Sequence, residues 1–479
     1  MSIVKLVINA GIMVSLNDSP STRYQKSRHC GYCKQKDGSC SYYMSCDNMR
    51  VDHYQELVDR GWRRSGTTYY KPDLPRSCCP HYTIRLKASD FHAKKDQRSA
   101  INKLNRYIVG SEYKRKAAML CPQPREVKRQ KRDKFNLKDA VHYAEHDKLP
   151  KPVGKKTQKP IEPAHRFEVN LEGDSCTKEK HEIMLKYQTK IHQDPEWRWS
   201  EASFKRFLCS GLDRKTVKIG GKTMKLGSYH QCYRIDGKLV AVGVLDLLPH
   251  AVSSVYLFYD PDYQEWDWGK ISALWEIALA MEGGYEYYYM GYYIHSCTKM
   301  RYKGRFEPSY ILDPESLKWD LLDDDLRKRL DQRKYVSLSR DRQLGTQPAE
   351  NGTLVGPVLT DMKTTPSHVE ELTKEKLGEK LKGEDIELDS DPSDPDDTDI
   401  PEGSLFDYNI PGVLTKEEVA KLDLDHMKLL VRTALVDLED LRGWEEWKID
   451  DPGTIKGIAA ELIATTGPKL LKDSALALF

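Results

Sequence analysis

The sequence lacks any run near the roughly 20 apolar residues that a helix needs to cross a bilayer. Its one apolar run near the beginning, 3–14, is interrupted by Lys5 and Asn9, and no small-residue cleavage site precedes the polar stretch 17–23. That run is therefore a weak candidate for a signal peptide. No membrane role is expected.

Charge of one sign is also not in excess, because 76 Lys and Arg stand against 73 Asp and Glu, a formal net charge of +3 over 479 residues. Any polyanion must then bind to a local basic patch. The eleven cysteines are odd in number, and four of them form two tight pairs, which disfavours a disulfide framework. We predict a protein of the cytoplasm and, in addition, of the nucleus.

Changes in composition divide the chain into five segments, and the predicted fold class is α+β or mixed α/β. The segments, in chain order, are a small Cys-rich N-terminal module with a following helix (15–110), a basic linker (111–166), a mixed α/β catalytic domain (167–335), an acidic disordered insert (336–404) and a helical segment that packs on the core (405–479).

The catalytic domain has the most regular pattern, since apolar runs at 239–248 and 252–259 precede a helical stretch and a further run at 285–294. The helix is indicated by Ile271, Leu274 and Ala278 at helical spacing, with Asp267 as its N-cap and Gly283 and Gly284 as its stop. The predicted order is strand, strand, helix, strand. Ser89 or Asp90 is the predicted cap of the earlier helix.

Four cysteines supply the strongest local motif. Cys30 and Cys33 are spaced as C-x-x-C, which lets two thiolates face one ion, and Cys78 and Cys79 are adjacent. Neighbouring cysteines spread poorly around one tetrahedral zinc but suit the separate irons of an iron–sulfur cluster. Both groups stay open, as does the simpler interpretation of four thiols without a metal.

A basic segment at 114–159 is a candidate for contacts with nucleic-acid phosphates. Its densest part supplies the predicted RNA-binding residues Lys128, Arg129, Lys131 and Arg132. A solvated linker or a nuclear-localisation patch explains the same charges equally well.

The stretch 290–305 carries the densest functional chemistry. Covalent catalysis by Ser296 or Cys297 with His295 is disfavoured, because consecutive strand residues point to opposite faces and no orienting group is visible. Lys299, Arg301 and Lys303 alternate, so an extended segment would present them together to phosphates or to an acidic side chain. An exposed charged strand edge is the competing interpretation.

Two aspartates interrupt or end the apolar strands of the catalytic domain. Asp246 lies within the first strand and Asp260 follows the second, so each is a candidate for binding an ammonium or guanidinium group. Asp260 also precedes Pro261 and fits a simple turn.

Together, several motifs resemble eukaryotic arginyl-tRNA–protein transferases over about 25–110 and 180–315. The motifs are Cys30-Gly-Tyr-Cys33, Gly61-Trp-Arg-Arg-Ser-Gly66, Tyr70-Lys-Pro72, Cys78-Cys-Pro80, Phe207-Leu-Cys209, Asp236-Gly-Lys238, Ala241-Val-Gly-Val-Leu-Asp246, Val252-Ser-Ser-Val-Tyr256, Tyr259-Asp-Pro-Asp-Tyr263 and Tyr293-Ile-His-Ser-Cys-Thr-Lys-Met-Arg-Tyr-Lys-Gly304.

The resemblance implies a catalytic domain like the acyl-CoA N-acyltransferase (GNAT) fold without its coenzyme, and an iron–sulfur cluster or zinc on the four cysteines. It implies transfer of arginine from arginyl-tRNA to proteins with N-terminal Asp, Glu or oxidised Cys, which marks them for ubiquitin-dependent degradation. No nucleotide or coenzyme A cofactor is expected, because the tRNA ester is already activated.

We assign hypothetical roles on that basis. Asp246 or Asp260 orients the attacking amine and removes its proton, while His295 or Tyr256 donates to the developing oxyanion. The substrate-binding candidates are Ser296, Lys299, Arg301, Tyr302 and Lys303.

Two other functions compete with this hypothesis. A coenzyme-A-dependent N-acetyltransferase would share the fold, but 262–270 offers only Gly269 where a pyrophosphate loop needs several glycines. A non-enzymatic metal-binding RNA-interaction module would explain the cysteines and the basic segment. It does not explain the dense set of candidate functional residues at 240–305.

Overall fold

A computed structural model describes residues 12–15, 23–122, 124–126, 135–154, 158–346, 398–399, 403–431 and 434–478. The strands in these ranges are β1 (Ile12–Ser15), β2 (Arg23–His29), β3 (Lys36–Ser45), β4 (Arg63–Ser65), β5 (Thr68–Pro72), β6 (Tyr82–Lys87), β7 (Phe167–Gly173), β8 (Lys215–Ile219), β9 (Lys222–Ile235), β10 (Lys238–Leu248), β11 (Ala251–Tyr259), β12 (Tyr287–Tyr293), β13 (Ser309–Leu312), β14 (Trp319–Leu321), β15 (Thr398–Asp399), β16 (Lys428–Val431), β17 (Ala434–Asp437) and β18 (Ser474–Leu478).

The same ranges also contain α-helices. They are α1 (Val51–Asp59), α2 (Lys95–Val109), α3 (Ser111–Leu120), α4 (Leu137–His142), α5 (Lys178–Ile191), α6 (Glu201–Leu208), α7 (Trp268–Gly283), α8 (Thr298–Arg301), α9 (Asp324–Gln332), α10 (Leu338–Thr346), α11 (Lys416–Val419) and α12 (Ile455–Thr466). The mixed α/β class predicted from the sequence is confirmed.

The largest sheet has the strand order β14-β13-β6-β12-β11-β10-β9-β7, with β8 paired to β9. Its strands are antiparallel except for the pair β11 and β12, which α7 connects. On β10, Ala241, Leu245 and Leu247 pack with α7 in one core, whereas Val242 and Val244 pack with α5 and α6 in a second core. The sheet therefore has helices on both faces.

The predicted order of strand, strand, helix and strand is confirmed in β10, β11, α7 and β12. The helix ends at Gly284 in a left-handed conformation with φ +79°, as the glycine pair predicts. Asp267 occupies the N-cap position, as predicted, but it is left-handed (φ +56°) and its carboxylate pairs with Lys270 at 2.7 Å instead of making a capping hydrogen bond.

Strand β6, which comes from the Cys-rich part of the chain, lies inside the large sheet between β12 and β13. The sheet thus crosses the boundary that we predict at residue 110. The remaining N-terminal strands form a second sheet in the order β15-β2-β3-β5-β4. After β6, Ala88–Asp90 form a short 3-10 helix and α2 begins later, at Lys95, so the predicted caps Ser89 and Asp90 are wrong.

The C-terminal segment corrects the prediction of a purely helical tail. It contains α12 but also β16, β17 and β18, which form a four-stranded sheet with β1 in the order β1-β18-β16-β17. The spacing of apolar residues at 419–438 is compatible with a helix and with a β-hairpin. The hairpin forms because β16 also pairs with β18, which is distant in sequence. Trp62 Nε1 donates to the Thr465 carbonyl at 3.1 Å, which joins this segment to the N-terminal part.

Most of the predicted acidic insert, 347–397, lies outside the described residues. Among the helices that are described, none combines the length and the apolarity needed to span a membrane.

Candidate functional site

The two parallel strands of the large sheet separate partway along their length. β11 and β12 pair only through Ala251, Val252 and Ser253, although both strands continue beyond these positions. A β-bulge interrupts β11 after Ser254, and Gly291 in β12 adopts φ +73°, which favours glycine. The separation opens a pocket of ≈ 110 Å³ between the strands.

Seven tyrosines contribute to the wall of this splay pocket, and they come from the N-terminal part, from the large sheet and from the segment that follows β12. The pocket-lining tyrosines include Tyr54, Tyr70, Tyr256, Tyr288, Tyr292 and Tyr302. Aromatic faces with hydroxyl tips suit cationic and hydrogen-bonding ligands together. The pocket can therefore hold a polar, positively charged group.

Glu276 on α7 is the carboxylate that lines the splay pocket, and its side chain is almost wholly buried. The Tyr288 hydroxyl donates to its Oε2 at 2.7 Å, and the Ser272 hydroxyl donates to its Oε1. Burial raises the pKa of Glu276, although these hydroxyl donors oppose the rise. A Cβ at Gly243 would lie 3.2 Å from Glu276 Oε1, so glycine makes room for the carboxylate.

Arg63 and Lys303 bring positive charge to the same pocket. The Arg63 Nη2 donates to the Gly291 carbonyl at 3.2 Å, and the Lys303 Nζ donates to the Tyr292 carbonyl at 3.1 Å. The guanidinium also lies 5.2 Å from the centre of the Tyr292 ring. Arg64 lines the pocket as well, so its described lining contains one carboxylate and three cationic side chains.

The four predicted metal ligands come together. The Sγ atoms of Cys30, Cys33, Cys78 and Cys79 all lie within 4.8 Å of one another, with 3.3 Å between Cys33 and Cys78. Hydrogen bonds from Cys78 and then Cys79 lower the pKa of the Cys30 thiol despite burial. Such a compact set of soft ligands could hold a metal ion.

The cysteine cluster packs directly behind the splay pocket. Cys30 and Cys79 share a buried apolar cluster with Tyr292 and Met300, both of which line the pocket. Tyr32, which sits between Cys30 and Cys33 in sequence, also lines the pocket. The cluster and the pocket therefore share a wall.

Comparison with known proteins matches two sequence profiles to this chain, the N terminus of arginine-tRNA-protein transferase at 28–99 and its C terminus at 179–313. Arginyl-tRNA–protein transferase 1 of Arabidopsis thaliana is 30% identical over 65% of this chain and 74% of its own length. The Drosophila melanogaster protein of that name is also 30% identical, over 65% of this chain and 84% of its own length. The chain belongs to the arginyl-tRNA–protein transferase family.

Membership of this family confirms the predicted resemblance and the predicted enzyme class, an aminoacyltransferase. A more distant relative, an aspartate/glutamate leucyltransferase of Campylobacter jejuni, is 25% identical over 59% of this chain and 89% of its own length. The two matched regions, 28–99 and 179–313, contain the cysteine cluster and the splay pocket.

The transferase keeps both predicted catalytic aspartates away from the pocket. Asp246 is fully buried and pairs with Arg64 through two contacts, Nε at 2.8 Å and Nη2 at 2.5 Å, while Ser228 donates at 2.5 Å. This carboxylate has no free face for a substrate amine. Its partner Arg64 does line the pocket.

Asp260 is likewise enclosed. Lys238 contacts it at 2.7 Å, Lys186 also donates to it, and it caps the 3-10 helix Pro261–Trp266 by accepting from the Asp262 amide. Burial alone would raise the pKa of Asp260, but the two lysines reverse the effect and lower it. These contacts agree with the second sequence interpretation, in which Asp260 is a turn residue before Pro261.

His295 lies between Tyr293 and Asp331. Its Nδ1 is 2.6 Å from the Tyr293 hydroxyl and its Nε2 is 2.7 Å from Asp331 Oδ1, and the residue does not line the pocket. Ser296 is exposed next to it, and its hydroxyl lies 4.0 Å from Cys79 Sγ.

The expectation of an extended cationic segment after His295 is wrong. Lys299 and Arg301 lie in α8, and Tyr302–Arg305 continue as a 3-10 helix, so alternate cations do not share one face. Of the predicted site residues, Tyr256, Tyr302 and Lys303 line the pocket, whereas Ser296, Lys299 and Arg301 do not. The predicted RNA-binding residues Lys128, Arg129, Lys131 and Arg132 lie outside the described residues.

Sequence reasoning missed Glu276, Arg63 and the tyrosines of the N-terminal part. One signal was available for Glu276, because it is the charged residue in turns of α7, 271–281, that are apolar apart from Ser272. A charged residue amid buried positions needs a functional or structural partner. Arg63 lies in the motif Gly61-Trp-Arg-Arg-Ser-Gly66, but nothing in that motif assigned it to the site.

Proposed function

We propose that this transferase moves arginine from arginyl-tRNA to the free N-terminal amine of proteins that begin with Asp, Glu or oxidised Cys, and that the reaction takes place in the splay pocket. The observation that carries this proposal is the combination of Glu276 with Arg63 and Lys303 in one tyrosine-lined pocket. A substrate with an ammonium group beside an acidic side chain has the complementary charges. Its product would then be marked for ubiquitin-dependent degradation.

The donor requires little chemical help, because the ester that joins arginine to tRNA is already an activated acyl group. Holding an amine against its carbonyl lowers the barrier by about 7–11 kcal/mol in well-oriented systems. Neither a nucleotide nor coenzyme A is needed for this step. The α-amine, with an ordinary pKa near 8, must first lose its proton.

Glu276 is the group that we assign to proton removal. Its raised pKa brings it closer to neutral pH, where a general base works best. The amine nitrogen attacks the ester carbon, the amide bond forms, and the carbon–oxygen bond to the ribose breaks. The ammonium first releases one proton to solvent, Glu276 takes the second proton from the amine nitrogen as the amide forms, and this second proton passes to the ribose oxygen that leaves.

Recognition of the acidic residue is assigned to Arg63 and Lys303. Both cations already donate to the carbonyls of neighbouring residues, Gly291 and Tyr292, and this fixes their position at the pocket wall. Charge-assisted hydrogen bonds to a carboxylate are stronger than neutral ones. The name of the Campylobacter jejuni relative, which specifies aspartate and glutamate, supports this assignment.

The residues predicted from sequence keep narrower roles in this proposal. Tyr256 and Tyr302 contribute to the pocket wall, and Asp246 positions Arg64. Asp260 holds the turn before α7, and His295 is linked to Asp331. Ser296, Lys299 and Arg301 remain candidates for contacts with parts of the substrate beyond the pocket.

The cysteine cluster is the proposed site of a zinc ion or an iron–sulfur cluster held by Cys30, Cys33, Cys78 and Cys79. Tetrahedral thiolate ligation at about 2.3 Å brings sulfur atoms close together, and the spacing within 4.8 Å fits a single ion best. The group would supply structural cross-linking of two loops. Through Tyr32 and Tyr292, the four ligands would fix one wall of the pocket.

We further propose a GNAT-like fold for the catalytic domain, binding of tRNA phosphates by Lys128, Arg129, Lys131 and Arg132, and residence in the cytoplasm and nucleus. The parting of two parallel strands around the pocket supports the fold proposal. The odd number of cysteines and the two tight pairs among them, which disfavour a disulfide framework, support a reducing compartment. Phosphate contacts predict that tRNA affinity falls steeply with salt.

The experiment that tests the function measures transfer of radiolabelled arginine from charged tRNA to two peptides, one with a free N-terminal Asp and the other N-acetylated. Label on the free peptide alone is expected. Label on neither peptide, with tight tRNA binding by the metal-replete protein, would favour an RNA-interaction module. Acetyl transfer from acetyl-coenzyme A would favour an N-acetyltransferase.

A further inference from the structure

A second cavity, which we call the Lys71 cavity, lies where β5, β6 and the segment around Ile410 meet. It has a volume of ≈ 20 Å³, and its polar lining consists of Arg60, Lys71, His81 and Thr83. The rest of its wall is formed by apolar side chains, prolines and Gly61. It is separate from the splay pocket and plays no part in the proposed transfer.

Lys71 is a buried cation without a local counter-charge. Its side chain is 7% exposed, and its Nζ donates to the Arg60 carbonyl at 2.5 Å. Among the residues with described positions, no carboxylate lies within ion-pair distance of it. Asp73 is the closest acidic influence, but it is paired with Arg76 at 2.9 Å and accepts from Tyr24 at 2.7 Å.

Three further polar atoms around the cavity are buried and have no hydrogen-bond partner within the described parts of the chain. They are Arg60 Nε, His81 Nδ1 and Thr83 Oγ1. Lys71 Nζ and Thr83 Oγ1 each lie 3.8 Å from the Cβ position at Gly61, so both reach the same small space. Buried polar atoms are normally satisfied, and each orphan costs about 1–3 kcal/mol.

Lys71 and the three unpaired atoms share one property, since an ammonium, a guanidinium nitrogen, an imidazole nitrogen and a hydroxyl can all donate a hydrogen bond. No acidic residue lines the cavity. Burial, with the neighbouring Arg60 charge, also lowers the pKa of Lys71 to about 7, the response of a cation that lacks a partner. A bound anion would supply both the charge and the acceptor.

We propose that the Lys71 cavity binds a small monovalent anion of the halide class, held by Lys71 with Arg60, His81 and Thr83 as further donors. The volume restricts the ligand, because one water-sized occupant needs about 10–15 Å³ and the cavity offers ≈ 20 Å³. A chloride ion fits this space, whereas a sulfate, a phosphate or a nucleotide phosphate is too large.

The site also touches the framework of the splay pocket. The Tyr292 hydroxyl donates to the Gly61 carbonyl at 3.0 Å, and Gly61 lines the Lys71 cavity. Arg63 follows two residues later in β4. An anion that orders the turn at Gly61 therefore stabilises the strand that carries Arg63.

The test uses the full-length, metal-replete protein at constant ionic strength, with sodium chloride exchanged stepwise for sodium gluconate. We expect the Tm to rise saturably with chloride and with bromide, because a ligand that binds only the folded state stabilises it. Lys71→Met should remove the rise. Lys421→Met, which changes an exposed lysine, should keep it.

Sodium sulfate and halide NMR line broadening complete the experiment. Sulfate should give no saturable rise, and the wild-type protein should broaden the chloride signal more than Lys71→Met does. An equal chloride response in wild type and Lys71→Met would overturn the proposal and leave a cavity that holds water only. If Lys71→Met fails to fold, Thr83→Val serves in its place, with a weaker chloride response expected and an unchanged one counting against the site.

Discussion

Two buried carboxylates lie close to β10 and have different neighbours. Asp246 on β10 meets a guanidinium, with Arg64 Nη2 at 2.5 Å, whereas Glu276 on α7 faces Gly243 of β10 and is held by hydroxyl groups. Both are almost fully buried. Burial therefore does not assign a role, because the charge of the nearest partner decides whether a carboxylate is neutralised or remains able to take a proton.

Glu276→Gln is the variant that most directly breaks this comparison. The amide keeps an oxygen for the Tyr288 and Ser272 hydroxyls but cannot accept a proton, so turnover should fall about 10²–10⁴-fold. The Tm should change little. Single-turnover transfer from charged tRNA to a peptide with N-terminal Asp measures the effect.

Its matched control is Glu461→Gln. Glu461 is also buried and accepts from the Leu405 amide at 2.8 Å, but it lies on α12, away from the pocket. Turnover should stay at the wild-type level. Equal losses in the two variants would remove Glu276 from the mechanism.

Asp246→Asn should act on stability first. It leaves Arg64 as a buried, uncompensated cation, and breaking a buried pair in this way costs about 3–5 kcal/mol. Urea denaturation measures the free energy of unfolding. The exposed pair of Arg50 and Asp52, at 2.5 Å with half-exposed side chains, provides the control, since Asp52→Asn should cost about 1 kcal/mol or less. A loss in Asp246→Asn no larger than in the control would contradict the assignment.

Lys303→Met tests one of the cations that line the pocket with Glu276. Loss of one charge-assisted hydrogen bond should lower kcat/KM for a peptide with N-terminal Asp by roughly tenfold to a hundredfold, with turnover at saturation less affected. Lys299→Met changes a lysine of the same segment that does not line the pocket. If kcat/KM falls equally in both variants, Lys303 does not bind the acidic side chain of the substrate.

The pH dependence of the transfer rate gives a further, smaller test of the role of Glu276. Burial raises the pKa of Glu276 above its usual 4.5, so the wild-type rate should rise with pH through that raised value and the Glu276→Gln rate should not. The folded state binds the extra proton between pH 4.5 and the raised pKa. Within this window, the stability contributed by Glu276 therefore falls as pH rises. Parallel rate profiles in the two proteins would show that another group titrates.

The cysteine cluster and the core order of β10, β11, α7 and β12 were predictable, because each is written in local spacing. Cys30 and Cys33 share one turn, and apolar residues repeat every two or every 3.6 positions. For Glu276, the only signal in the sequence was a charged residue within the largely apolar helix α7. Arg63 could not be found this way, since it reaches the pocket through pairing of distant strands.

The aspartates show why local spacing is insufficient for the rest of the site. Asp246 and Asp260 stand at conspicuous positions in sequence, yet Arg64 and Lys238 approach them from elements 182 and 22 residues away. A sequence records the carboxylate but not the cation that folding brings to it. The same argument applies to β16, whose partner β18 is distant in sequence.

The sequence alone indicated the family, the four-cysteine cluster and the order of β10, β11, α7 and β12, because these depend on residue type and on short spacing. Only the tertiary structure decided that β6 completes the large sheet, that the cysteine cluster shares a wall with the pocket, and which buried carboxylate faces a cation. These features depend on contacts between residues far apart in the chain, and such contacts form only when hydrophobic burial brings distant segments together.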